Sequence, residues 1–221
     1  MAIRWRSRWT TRWRTQWTAR HSITIVLIAI AGWHLGSAAL IHVKARAAQV
    51  LIAVAAREGL LNDRPVKPWP WADTWPVARL HVPRLDVEAY VLAGDSGRTL
   101  AFGPGHRFGT ALPGRAGNSV IAGHRDTHFA FLRELRDGEL LEVEAAGGIR
   151  RGYRIVRAEV MHKSNVEVLA PEGPTRLTLI TCFPFDAIVS GGPLRYVVVA
   201  EAVTEALSAS ASAAWTPVEV N

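Results

Sequence analysis

Between residues 76 and 203 the chain breaks its apolar residues into short runs, at 77–82, 87–92, 119–122, 140–143, 153–160, 176–181 and 194–200, separated by Gly, Pro, Asn and Asp. Runs of this length bounded by turn formers read as strands, and several in succession predict an all-β barrel or sandwich. Residues 129–135 are the single helix candidate in the region. A stretch of about 125 residues is ordinary for one such domain, and no internal repeat interrupts it.

Ahead of this region the pattern changes. Residues 22–43 form a nearly unbroken apolar run, interrupted by His34, His42 and small polar residues. As a helix it would rise about 33 Å, enough to cross a hydrocarbon core of about 30 Å. Six arginines (Arg4, Arg6, Arg8, Arg12, Arg14, Arg20) precede it, outnumbering Lys44, Arg46 and Arg57 beyond it, so the positive-inside bias sets the N-terminus in the cytoplasm. Everything after Val43 is then extracytoplasmic, and the chain is expected in the cytoplasmic (inner) membrane as a single-pass protein with a periplasmic domain. A cleavable signal peptide is the alternative, with Ser37-Ala38-Ala39 as the cleavage site. The run is longer than a usual signal core and continues through Leu40, Ile41 and Val43, which favours an uncleaved anchor.

Charge narrows the function classes. Without the six leading arginines the formal net charge falls from +7 to +1, so the basic character belongs to the tail and not to the folded region. That excludes a nucleic-acid-binding domain, which needs Lys and Arg over its own surface. Within the tail, residues 1–21, Trp5, Trp9, Trp13 and Trp17 recur every four residues, either as the aromatic face of an interfacial helix or within an unstructured topology signal.

Residues 44–75 link the anchor to the β region. Ala47, Val50, Leu51 and Val54 follow i, i+3, i+4, i+7 spacing, predicting a helix over 44–58 that ends near Gly59. The following Pro65-Val66-Lys67-Pro68-Trp69-Pro70-Trp71 predicts a semi-rigid extended spacer. At the other end, residues 204–221 form an Ala/Ser-rich tail expected to fray.

The chain has one cysteine, Cys182, which closes a strand-like run just before a turn. One thiol makes no internal disulfide, so outside the cytoplasm it is either an inert core residue or a nucleophile kept free. Two other residues sit at comparable places: His124 after Asn118-Ser119-Val120-Ile121-Ala122-Gly123, and Arg195 after Gly191-Gly192-Pro193-Leu194. A thiolate attacks an acyl carbon, an imidazole protonates a leaving amine, and a guanidinium holds a developing oxyanion. Singly, each has a bland reading as core cysteine, turn histidine or solvated arginine. Asp126 is a candidate partner of His124 or Arg195, against the reading of a solvated turn acid. His106 and His128 read as surface or loop residues. No metal-ligand spacing or cofactor motif is visible, and residues 94–117 lack the Gly-Lys-Ser/Thr ending of a phosphate loop.

The surrounding words are more specific than the residues alone. Gly103-Pro104-Gly105-His106, Thr110-Ala111-Leu112-Pro113-Gly114, the run from Gly117 to Thr127, Thr178-Leu179-Ile180-Thr181-Cys182 and Pro193-Leu194-Arg195-Tyr196 resemble the sortase family in content and order. The resemblance covers residues 76–202. It implies a closed eight-stranded sortase-type β-barrel behind an N-terminal transmembrane helix. It also implies cleavage of a C-terminal LPxTG-like sorting signal on a substrate protein, between Thr and Gly, with transfer to an amine acceptor and no cofactor. Carried over, Cys182 is the nucleophile, His124 the general acid and later base, Arg195 the oxyanion donor and Thr181 a support beside the nucleophile. The active form implied is a thiolate beside an imidazolium, with a bell-shaped pH profile. The Arg/Trp tail and the Ala- and Arg-rich composition look most like proteobacterial sortases with dedicated substrates. Rivals are an L,D-transpeptidase-like acyltransferase, whose Ser-His-Gly-Cys context differs from Leu179-Ile180-Thr181 here, and a papain-like peptidase, in which Cys precedes His. A membrane-tethered β-barrel scaffold or binding module with an inactive site is the non-enzymatic alternative.

Overall fold

The structure is a computed structural model that describes residues 9–171, 173–189 and 191–203, without the side chains of residues 9–20, 22 and 23. The tryptophan face of the N-terminal tail and the Ala/Ser-rich C-terminal tail lie outside what is described. The chain divides into two compact units, Met1–Ala47 and Ala48–Asn221. Helix α1 runs over Trp9–Leu61, and residues 24–43 within the first unit are exposed throughout. Thr24–Leu61 is long and apolar enough to cross a membrane.

The second unit is a closed barrel. Its strands are β1 (Pro76–Val82), β2 (Val87–Ala93), β3 (Gly105–His106), β4 (Asn118–Ala122), β5 (Leu140–Ala145), β6 (Ile149–His162), β7 (Arg176–Phe183) and β8 (Leu194–Ala202). Round the barrel they run β1-β2-β3-β4-β7-β8-β6-β5. The pairings are antiparallel except β2 with β3 and β4 with β7, which are parallel. Because successive strand residues face opposite ways, each strand sends one set of side chains inward. Leu80, Val91, Ile121, Leu141, Tyr153, Leu177, Leu179 and Val198 form the interior, and each is at most 1% exposed. A second, smaller cluster lies on the opposite face: Val197 and Val199 of β8 with Ile180 of β7, covered by Val168 and Leu169 from the β6–β7 connection.

All seven strand-like runs of the sequence are strands, and the implied eight-stranded barrel is present. The eighth, β3, is two residues long and has no run to announce it. It forms because Gly105 lets two backbones meet, Leu92 pairing with Gly105 while the Gly94 N–H donates to the His106 carbonyl at 2.9 Å. A Cβ at position 105 would collide with the Gly94 carbonyl oxygen. Strand β6 is longer than its apolar run because the backbone continues to pair with β5 through residues 149–152, where Arg150 is exposed and ion-pairs with its cross-strand partner Glu144. The expected helix at 129–135 is a 3₁₀ turn over Ala130–Glu134.

Of the two segments before the barrel, the expected helix over 44–58 forms, and the expected spacer does not stand clear. The helix runs to Leu61, but the face it buries is Ala48, Ile52, Ala55, Ala56 and Leu60, whereas Val50 and Val54 stand 60% exposed. The segment has apolar residues on two faces, so spacing alone picks neither. The proline-rich stretch does not stand clear as a spacer: Pro68 is buried, Trp69 meets the Phe102 ring edge-on at 5.0 Å, and the Thr74 hydroxyl donates to the Ala93 carbonyl at 2.7 Å.

His106 is buried in β3 and is not a surface residue. Its Nε2 donates to the Ala111 carbonyl at 2.9 Å, so Nδ1 is the bare nitrogen, buried with no partner among the described residues. Burial holds this imidazole below its ordinary value of 6.5, against a smaller upward pull from the Ala111 carbonyl. Below that value the unfolded chain takes a proton that the folded chain refuses, so stability falls with acidification. Chemical denaturation between pH 7 and pH 5 should record this loss, and His106→Gln should flatten it. Gly105→Ala should cost about 1–3 kcal/mol, read as a lower urea midpoint at unchanged slope.

Candidate active site

The three residues singled out by chemistry come from three neighbouring strands. Cys182 of β7 and Arg195 of β8 are direct cross-strand partners, so their side chains leave the sheet on the same face. That face is the outer one: Leu177 and Leu179 alternate inward, and Cys182 follows Thr178 and Ile180 outward. On the other side of β7, parallel strand β4 pairs Ala122 with Ile180, and the Gly123 N–H donates to the Ile180 carbonyl at 3.1 Å. Continued two residues, this register sets His124 beside Cys182. Chain positions 124, 182 and 195 thus meet at one end of three adjacent strands. His124 is exposed, while Cys182 and Arg195 are half-buried.

Local bonds hold each group where the ladder ends. Thr181 points inward, 2% exposed, and its hydroxyl donates to the Gly123 carbonyl at 2.7 Å, tying the residue before His124 to the residue before Cys182. The His124 carbonyl accepts the Phe129 N–H at 2.9 Å, closing the turn that follows. Nη1 of Arg195 donates to the Gly192 and Leu194 carbonyls, both at 2.8 Å. Among the described residues its Nε and Nη2 make no hydrogen bond, so that edge of the guanidinium keeps its donors. Asp126 is exposed and forms no hydrogen bond or ion pair among the described residues. His128 is half-buried in the turn. Burial is the main cause that lowers its proton affinity, His124 nearby adds to it, and a hydrogen bond to Ala101 opposes both.

Sequence reasoning gave no role to the residues that build the wall of this site. Asn118 Nδ2 donates to the Val168 and Ala170 carbonyls, at 2.8 and 3.1 Å, and its Oδ1 accepts from Thr178 at 2.7 Å. Arg176 adds a bond to the Ala170 carbonyl at 2.6 Å. Together they fasten the β6–β7 connection over the outer face, next to Ile180. Asn118 and Thr178 stood inside the quoted motifs, yet only the pairing of β4 with β7 brings them together. A separate cavity of about 670 Å³ is lined by Gln49, Val50, Tyr90, Phe102 and His128 and contains none of the three convergent groups. The candidate site lies at the strand ends, where a thiol, an imidazole and a guanidinium are brought together, and not in that cavity. No cluster of metal-ligating side chains occurs among the described residues.

Compared with protein families, residues 80–203 match the Sortase domain. The chain belongs to the sortase family. Among curated relatives, it is 30% identical over 126 residues to Sortase D of Bacillus subtilis, a match covering 57% of this chain and 63% of that protein. It is 36% identical over 125 residues to Sortase SrtE1 of Streptomyces coelicolor, covering 48% of this chain and 36% of that one. The match thus spans less than two thirds of either relative. Among solved structures, sortase C-1 from Actinomyces oris is 32% identical with a TM-score of 0.52, covering 58% of this chain and 73% of that structure. Sortase A from Corynebacterium diphtheriae is 27% identical with a TM-score of 0.54, covering 61% and 63%.

Gly123 is where this sortase-family site is least tolerant. A Cβ there would lie 2.6 Å from Cγ of Phe129, a ring with no exposed surface. Gly123→Ala must therefore shift either the core ring or the backbone that carries His124. Any activity of the site should fall about tenfold or more while the protein stays folded by circular dichroism, and Phe129→Leu in the same chain should restore part of it.

Proposed function

We propose that this chain is a membrane-anchored cysteine transpeptidase that cleaves an LPxTG-like C-terminal sorting signal between Thr and Gly and passes the acyl group to an amine. The observation that carries the reading is the cross-strand pair Cys182 and Arg195, with His124 in register on the other side of the same strand. The Cys182 thiolate attacks the threonine carbonyl carbon, and the carbonyl oxygen becomes an oxyanion facing the Arg195 guanidinium. Collapse breaks the C–N bond while the His124 imidazolium gives its proton to the departing glycine amine. A thioester remains. An acceptor amine then attacks the thioester carbon, His124 takes the amine's proton, and the thiolate leaves as the new amide forms. Activity should peak where thiolate and imidazolium coexist, giving a bell-shaped pH profile.

The wider setting belongs to the same proposal. The exposed apolar helix segment over residues 24–43, behind six arginines, supports a single-pass anchor with the N-terminus in the cytoplasm. The Arg/Trp-rich tail and the Ala- and Arg-rich composition support a proteobacterial enzyme with dedicated substrates. Thr181 acts as a support, and Asp126 is a candidate partner of His124 or Arg195.

The test uses the full chain in detergent with a quenched LPxTG peptide library and an added amine. Cys182→Ala should abolish turnover, and His124→Ala and Arg195→Ala should each lower kcat/KM by about 10²–10⁴-fold. The intact mass of the wild-type protein should show the acyl thioester, lost in Cys182→Ala. Equal turnover in all four proteins would reject the enzyme and favour an inactive scaffold.

A further inference from the structure

Arg125 follows His124 directly and is only 8% exposed. Arginine is rarely so buried without a carboxylate beside it. Here its bonds run to main-chain carbonyls: one nitrogen, Nη2, donates to Ala187 at 2.6 Å and to Val189 at 3.1 Å. Both acceptors lie on the loop over residues 184–193, which leaves Cys182 on β7 and returns to Arg195 on β8. The carbonyls face the guanidinium while the side chains turn away: Ile188, between them, is 101% exposed and Val189 78%. The same loop supplies Gly192, whose carbonyl accepts from Nη1 of Arg195 at 2.8 Å. Arg125, the residue after His124, and Arg195 thus bond carbonyls of the same β7–β8 connection.

We infer that Arg125 is a positioning residue for the reaction proposed above: its buried guanidinium clamps the β7–β8 loop so that the Arg195 guanidinium stays opposite Cys182. It touches neither the substrate nor the reacting atoms. The inference rests on the transpeptidase reading for its kinetic consequence, though not for the clamp itself. Because a single nitrogen makes both bonds, a lysine ammonium can reproduce them. Methionine keeps the apolar stem but donates nothing. If Arg125 served only to fill space, Met would replace it better than Lys; if it clamps the loop, Lys would replace it better than Met.

The experiment compares full-length wild type with Arg125→Lys, Arg125→Met, Arg195→Ala and the double variant Arg125→Met/Arg195→Ala. It reads kcat and KM on the LPxTG peptide, and hydrogen–deuterium exchange of the amides at 186–192. Arg125→Met should lower kcat by about 30-fold with KM changed by less than about threefold, and should speed exchange in the loop. Arg125→Lys should stay within about fivefold of wild type on both readouts. The double variant should be no slower than Arg195→Ala alone, because Arg125 acts through Arg195. Arg125→Met equal to or better than Arg125→Lys, or additive losses in the double variant, would overturn the inference. If the wild type cleaves no sorting peptide, the functional reading fails by itself and exchange alone decides the clamp. Faster exchange in Met than in Lys upholds it, and equal exchange overturns it.

Discussion

The direction in which the Cys182 sulfur points is fixed by leucines that take no part in the chemistry. On β7, Leu177 and Leu179 turn into the barrel and are fully buried, each contributing about 1.5–3 kcal/mol relative to exposure. A slip of one residue would expose both and turn the thiol into the core. Hydrophobic burial, acting at alternate residues, thereby delivers the intervening set, Thr178, Ile180 and Cys182, to the outer face. On β8 the same alternation buries Val198 and Ala200 and sends Arg195 outward. The core thus selects the register, and the register sets the Cys182 thiol beside the strand position of Arg195.

The parallel pairing of β4 with β7 completes the set. A short hairpin can join antiparallel neighbours but never parallel ones. A parallel neighbour admits a long connection, here the stretch that carries β5 and β6, and so draws His124 from 58 positions away. That connection is also useful in itself. Its last part, Val168 and Leu169, packs over Ile180, Val197 and Val199, so the outer face beside Cys182 is walled on one side and open at the strand ends.

Much of this was legible in the sequence, for reasons that differ by residue. The seven long strands show as apolar runs because the barrel interior demands them. The short β3 shows no run because two residues cannot carry a period; its signal is Gly105, which only a three-dimensional approach of two backbones explains. Cys182, His124 and Arg195 were singled out by residue chemistry together with their words, and strand pairing brings them to one end of the barrel, whereas His106 was misread because a histidine between Gly105 and Arg107 looks exposed. The helix before the barrel was legible, but the face it buries was not. Val50, Leu51 and Val54 satisfy the spacing, yet Ile52, Ala55 and Ala56 satisfy it too, and only packing distinguishes them. Arg125 had no signal at all, since an arginine after a histidine in a turn looks like any solvated cation.

The polar bonds at the strand ends follow from where the ladder stops. Regular β4–β7 pairing ends at Ala122 and Ile180, so His124 stands beyond the last ladder pair and would be free to swing with its turn. Two side chains stand in for the missing ladder at this end, Thr181 bonding the Gly123 carbonyl and Arg125 holding the β7–β8 loop, while further back on the same strands Asn118 with Thr178 fastens the β6–β7 connection. Each joins groups some sixty positions apart, and each is buried, so that breaking one leaves a polar group unpaired at a cost of about 1–3 kcal/mol. A barrel built for stability alone would fill these positions with apolar residues. Polar side chains at Thr181, Asn118 and Arg125 make sense if the strand ends must hold one geometry, because hydrogen bonds set distance and direction where hydrophobic contacts fix only proximity.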